Sequence, residues 1–134
     1  MFLNFKSKIN VAMNEIELKK RTKDFAHRCV QLALALSNNK LGNHIQGQLI
    51  RCSTSVPSNY RATCVAQSKA SFISKLGIVI EEADESQFWL EFIIDENLLT
   101  KERVLPLFNE ARELTAIFIA SRITLKKSSS KSKI

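Results

Sequence analysis

Apolar residues recur along most of the chain at intervals of three and four positions, which is the spacing of one face of an α-helix. In the first stretch of this kind, Phe25, Cys29, Leu32 and Leu36 follow the interval. Short polar segments separate four such stretches, and no stretch alternates between apolar and polar positions as a half-buried strand would. The pattern predicts four helices, over about residues 15–37, 43–66, 69–95 and 101–125.

The boundaries and the composition agree with long helices. Ser68 and Thr100 stand where they can cap the third and fourth helices, and only 3 Gly and 2 Pro occur in 134 residues. Pro57 lies inside the second helical pattern, and because the periodicity continues to Cys64 we expect a continuous helix with a kink at the proline. Four helices with short loops predict an all-α, antiparallel up-down-up-down four-helix bundle.

The chain is expected to contain one domain. Residues 15–125 would form the bundle, residues 1–14 an N-terminal arm, and residues 126–134 a disordered basic tail of Lys and Ser. The tail composition cannot bury a core, which is why we expect it to be unstructured.

Charge is distributed unevenly along the sequence. The net charge is +7, but residues 1–80 sum to +9, residues 81–113 to −7 and residues 114–134 to +5. A basic protein attracts nucleic acid, whereas segregated charges of both signs could also join identical copies head to tail.

The candidate nucleic-acid-binding residues are cations of the first helix and of the tail. They could neutralise phosphates, or they could simply form a solvated helix face; both interpretations remain open. The residues are Lys19, Lys20, Arg21, Lys23, Arg28, Lys126 and Lys127.

An acidic cluster occupies the third helix. Two carboxylates four positions apart are a weak metal signal, since a helical di-metal site would need further Glu and a Glu-x-x-His pattern. We expect part of the cluster to be solvated and part to form ion pairs with Arg51 and Arg61, within one subunit or between subunits. The cluster comprises Glu81, Glu82, Asp84 and Glu85.

No residue pattern predicts catalysis, a metal or a cofactor. His27 and His44 have no neighbouring ligand motif, and the three cysteines contain no CxxC pair. Neighbouring Phe88 and Trp89 could stack on a base, but helical spacing favours a core or subunit-interface role. With no membrane-spanning or signal pattern, we expect a cytoplasmic protein that has no contact with membranes.

Two segments make the sequence similar to a known family. The stretches QLIRCSTSVPSNYRA (residues 48–62) and KASFISKLGIVIEEADESQFWLEF (residues 69–92) resemble a four-helix-bundle family whose members include the proteins encoded by intervening sequences in large-subunit ribosomal RNA genes and the accessory variability determinant of diversity-generating retroelements. The resemblance covers roughly residues 25–124. It implies a four-helix bundle that assembles into a homopentameric ring.

These observations lead to two expectations for function. The first is a non-enzymatic, oligomeric protein that binds RNA or DNA through its basic surfaces, structured RNA being favoured. The alternative is a protein–protein adaptor whose charge asymmetry serves self-assembly or a protein partner.

Overall fold

The computed structural model describes the backbone of residues 15–132 and the side chains of residues 15–128. The described part contains four helices and no strand: α1 (Glu15–Leu34), α2 (Lys40–Cys64), α3 (Lys69–Asp95) and α4 (Lys101–Ser132). Each helix packs against the next along the chain, and α1 also contacts α4. The predicted arm, residues 1–14, lies outside the described residues, as do residues 133 and 134.

The core is built from the apolar faces that the sequence pattern indicates. Phe25, Leu49, Leu76 and Phe118 are among the fully buried side chains and represent all four helices. Tyr60 and Phe118 pack with their ring centroids 5.2 Å apart, which joins α2 to α4. Polar residues inside the core bond to their own helix: the Thr22 hydroxyl donates to the Leu18 carbonyl at 2.7 Å. The core therefore holds no buried side-chain N or O without a partner among the described residues.

The first loop differs from the prediction at both of its ends. α1 ends at Leu34 instead of about 37, and α2 begins at Lys40 instead of about 43. The cause is Asn39, whose side chain accepts a hydrogen bond of 2.7 Å from the Gly42 amide and caps α2. Gly42 permits this turn, because an added Cβ would lie 2.0 Å from the Ser37 carbonyl oxygen.

The other boundaries lie closer to the expected positions. Ser68 caps α3 by accepting from the Ser71 amide at 3.1 Å, and α2 continues through Pro57 to Cys64, two residues before the predicted end. After α3, Asn97 adopts the left-handed conformation (φ 53°), and the Leu98 amide donates to the Ile93 carbonyl at 3.1 Å. This is the Schellman termination, in which Asn stands in for the usual Gly.

The predicted disordered tail at residues 126–134 is wrong for the part that the structure describes. α4 continues from Lys101 to Ser132, beyond the expected end at 125. No Gly or Pro interrupts this segment, and lysines near a helix C-terminus interact favourably with the helix dipole. Lys126 and Lys127 are therefore held on an ordered helix.

Candidate nucleic-acid interface

The lysines of the predicted basic run lie on the outer surface of α1. Lys20 Nζ is 2.9 Å from Asp24 Oδ2, and this hydrogen bond raises the pKa of Lys20. Lys19 Nζ is 3.8 Å from Glu15 Oε2, which is a loose contact within one helix. Lys23 is exposed and forms no ion pair with any described residue. Exposed pairs of this kind are weak and easily exchanged, so the lysines remain accessible to an external anion.

Arg21 has a different environment from its lysine neighbours. Its guanidinium donates to both carboxylate oxygens of Glu110 on α4, at 2.8 and 2.7 Å, and lies 2.9 Å from Glu113. The hydrogen bonds to Glu110 raise the pKa of Arg21 further above its ordinary value. Only 22% of the Arg21 side chain and 16% of that of Glu110 are exposed. The paired guanidinium joins α1 to α4 and leaves fewer donors for a phosphate than its exposed lysine neighbours have.

Cations from all four helices meet at one end of the bundle. Cys64, at the end of α2, forms a hydrogen bond with Glu15, at the start of α1, so these two helix ends lie side by side. Burial, together with this hydrogen bond, raises the pKa of Cys64 to about 11. Arg122 Nη1 lies against Gly77, which places the late turns of α4 beside the early turns of α3.

We call this region the basic end and define it as residues 15–24, 61–75 and 118–128. It contains ten Lys and Arg and three Asp and Glu. Lys126 and Lys127 are exposed there on α4, and Lys23 is exposed on α1. Arg28 lies one turn beyond this range on α1, where it borders both the surface beside Lys20 and Arg21 and a groove between α1 and α4. Arg28 thus connects the basic end to the groove.

The acidic cluster of α3 faces α2 on one side and solvent on the other. Arg51 forms ion pairs with Glu82, at 3.2 Å, and with Glu85. These contacts raise the pKa of Arg51, chiefly through the hydrogen bond that its guanidinium donates to Glu85. Glu81 and Asp84 are exposed, and within residues 15–128 Arg61 forms no ion pair with the cluster. The pairing with Arg51 therefore lies within one chain.

An aromatic patch adjoins these carboxylates. It consists of His44, Phe88, Trp89 and Phe92. The His44 and Trp89 rings meet edge to face, with centroids 5.6 Å apart, and the Phe88 and Trp89 centroids are 4.9 Å apart. Trp89 Nε1 lies 3.4 Å from Glu85 Oε2. Phe88 is 53% exposed, so the patch presents apolar surface to solvent.

The described cysteines and carboxylates do not form a reactive or metal-binding group. Cys29, Cys52 and Cys64 are buried free thiols, and burial raises the pKa of Cys52 to about 11. Within the described part of the chain, no group of three or more His, Cys, Asp or Glu side chains could hold a metal ion. No described helix is both long enough and apolar enough to cross a bilayer.

Sequence reasoning missed several cations because their relevance depends on packing. Lys75 and Arg122 join the basic end only when α3 and α4 meet, and Arg103 joins Arg28 only across the groove between α1 and α4. The antiparallel bundle predicted above could have suggested both groupings, since it pairs the start of one helix with the end of the next.

The fold and the charge distribution define a class of protein: a basic four-helix-bundle protein. The chain belongs to the 23S rRNA-intervening sequence protein family, which its sequence matches over residues 14–120. The expected family resemblance is thereby confirmed.

A solved structure from Bacteroides thetaiotaomicron agrees with this assignment. It is described as a protein with unknown function from the S23 ribosomal protein family, and it is 32% identical in sequence with a TM-score of 0.74. The alignment covers 81% of this chain and 96% of that one. No curated protein matches this chain significantly.

Proposed function

We propose that this protein is a non-enzymatic RNA-binding protein whose basic end contacts the phosphate backbone of structured RNA. The observation that carries the proposal is that nine cations other than Arg21, which pairs with Glu110 and Glu113, accumulate against three carboxylates at that end. Lys23, Lys126 and Lys127 are exposed there and form no ion pair among the described residues. Lysine side chains of this kind bind phosphates without reading sequence.

The family supports RNA as the nucleic acid. Its description refers to intervening sequences of 23S rRNA, and the related Bacteroides protein is assigned to a ribosomal protein family. Neither description states what these proteins bind. The phosphates of a structured RNA lie close together, whereas those of a single extended strand are spread out. A cluster of cations on a rigid helical end therefore suits a structured RNA better.

The basic end can be tested with two variants that each lose two exposed lysines. The first, Lys23→Gln/Lys127→Gln, changes the basic end; the matched control, Lys40→Gln/Lys101→Gln, changes the first turns of α2 and α4. We expect the first variant to weaken binding of a labelled RNA hairpin, measured by fluorescence anisotropy. Loss of two phosphate contacts should reduce the salt slope of log K by about 1.4–1.8. Equal affinities of the two variants would remove the basic end from the proposal.

We also propose that the bundle is antiparallel, with up-down-up-down topology. Three contacts between α2 and α3 support this: His44 with Trp89, Arg51 with Glu85, and Cys52 with Ser86. Going from His44 to Arg51 and Cys52 along α2, the contacted residue moves back along α3 from Trp89 to Glu85 and Ser86. Two helices whose contacts run in opposite directions are antiparallel. The short connections between consecutive helices agree with this topology.

A homopentameric ring is our proposal for the assembly. The aromatic patch lies on a stretch, residues 81–96, that has seven Asp and Glu and no Lys or Arg. A surface of a second copy that combines apolar side chains with cations would complement this patch. The same patch also supports the adaptor alternative, in which another basic protein occupies it.

A further inference from the structure

α1 and α4 contact each other much less extensively than the other neighbouring helices do, and a groove of about 370 Å³ runs between them. His27, Arg28 and Gln31 of α1 and Arg103 of α4 supply its polar lining. Leu32, Pro106 and Leu107 supply apolar surface. No carboxylate lines this groove, which makes it a hydrogen-bond donor site of positive charge.

Another arginine between α1 and α4 is surrounded by carboxylates. Two turns before Arg28, Arg21 is neutralised by Glu110 and Glu113. Arg28 and Arg103 form no ion pair with any residue whose side chain the structure describes. The two guanidinium groups therefore have no ion-pair partner in the groove, although the charge of Arg28 also helps to lower the pKa of Asp24, one turn earlier on α1.

Arg103 is also badly placed for the stability of its own helix. It lies in the first turn of α4, where its amide is 3.1 Å from the Thr100 carbonyl oxygen. A cation near a helix N-terminus is disfavoured by the helix dipole. The helix dipole therefore does not account for Arg103.

We propose that this groove binds the phosphate group of a nucleotide unit, and that RNA is the source of that unit. Arg28 and Arg103 approach from opposite walls, and guanidinium groups match phosphate oxygens with paired N–H donors. The Gln31 amide and the His27 ring add donors. Leu32, Pro106 and Leu107 offer an apolar surface for the sugar or the base. The assignment of RNA as the source rests on the proposed function.

The test uses AMP as the probe and the 1H–15N NMR spectrum of the intact protein as the readout. We expect saturable shifts at residues 27, 28, 31 and 103. Arg28→Gln/Arg103→Gln should weaken AMP binding by about tenfold or more, because charge-assisted hydrogen bonds are lost. Lys40→Gln/Lys101→Gln removes the same charge outside the groove and should leave AMP affinity unchanged. Circular dichroism of both variants verifies that the exposed substitutions preserve the fold.

The outcomes separate this inference from the proposed function. Shifts confined to the lysines of the basic end, or equal AMP affinity of the two variants, would overturn the groove as a phosphate site even if RNA is bound. Groove-specific AMP shifts without any RNA binding would uphold the groove as a site for a free nucleotide and contradict RNA as its source. Groove-specific AMP shifts together with weaker RNA binding by the groove variant would support both.

Discussion

Arg21 and Lys23 lie two positions apart on α1, yet their side chains have different surroundings. Arg21 is largely buried against Glu110 and Glu113, whereas Lys23 extends into solvent. The sequence places both in one basic run, and it cannot separate them because Glu110 is 89 positions away along the chain. The role of each cation depends on which carboxylate the fold brings within reach.

Arg21→Gln should destabilise the protein. The substitution leaves Glu110, 16% exposed, without its two charge-assisted hydrogen bonds. We expect the free energy of unfolding to fall by about 1–3 kcal/mol, because a desolvated carboxylate loses its partner. Urea denaturation followed by circular dichroism measures this change. Lys23→Gln is the matched control and should unfold at the wild-type urea concentration; equal stability of both variants would refute the structural role of Arg21.

At the scale of the helices, each boundary is set by a few backbone hydrogen bonds. Asn39 accepts from the Gly42 amide to start α2, and the Ser37 carbonyl oxygen lies so close to Gly42 that a side chain cannot be accommodated. Gly47, one and a half turns later, is exposed and has no atom within 4 Å of an added Cβ. The fold therefore requires a glycine at position 42, whereas position 47 of the same helix can accept a side chain.

Gly42→Ala and Gly47→Ala should change stability in opposite directions. The first forces the start of α2 to move, at a cost of about 1–3 kcal/mol for an overpacked site. The second removes backbone freedom from the unfolded chain and improves helix propensity, for a gain of about 0.5–1 kcal/mol. Thermal and urea unfolding of both variants test this pair. A stabilised Gly42→Ala protein would contradict the close approach to Ser37.

Periodicity predicted all four helices because each buries one continuous apolar stripe, and Ser68 was identified as a cap from local sequence alone. The start of α2 was missed because Asn38, Asn39 and Asn43 follow one another closely, and the sequence does not reveal which one caps the helix. The end of α4 was missed because low-complexity composition says little about a segment that merely continues an existing helix. The candidate site was predicted as cations, but their grouping required the packing of distant helices.

The whole molecule is electrically polar. The basic end carries ten cations against three carboxylates, whereas residues 81–96 carry seven carboxylates and no cation. The proposed phosphate binding would use one pole, and self-assembly through the aromatic patch would use the other. A ring would also place several basic ends side by side, so that individually weak contacts act together on one RNA.

Phe88→Ser should shift the protein from the proposed pentamer to smaller species in size-exclusion chromatography with light scattering. The wild-type assembly should have about five times the 15.2 kDa chain mass. Phe88 is 53% exposed, so its replacement removes interface surface with little effect on the core. Ile78→Ser, at a 43% exposed position of the same helix, is the control and should preserve the mass. A monomeric wild-type protein would contradict the ring.

The most direct test of RNA binding by the basic end is the salt dependence of wild-type affinity for a structured RNA. Lys23, Lys126 and Lys127, together with the weakly paired Lys19 and Lys20, should each release counterions on binding. We predict that log K falls linearly with log salt with a slope of about −3 or steeper, since each phosphate contact contributes roughly 0.7–0.9. A slope near zero, or no binding at low salt, would contradict the account.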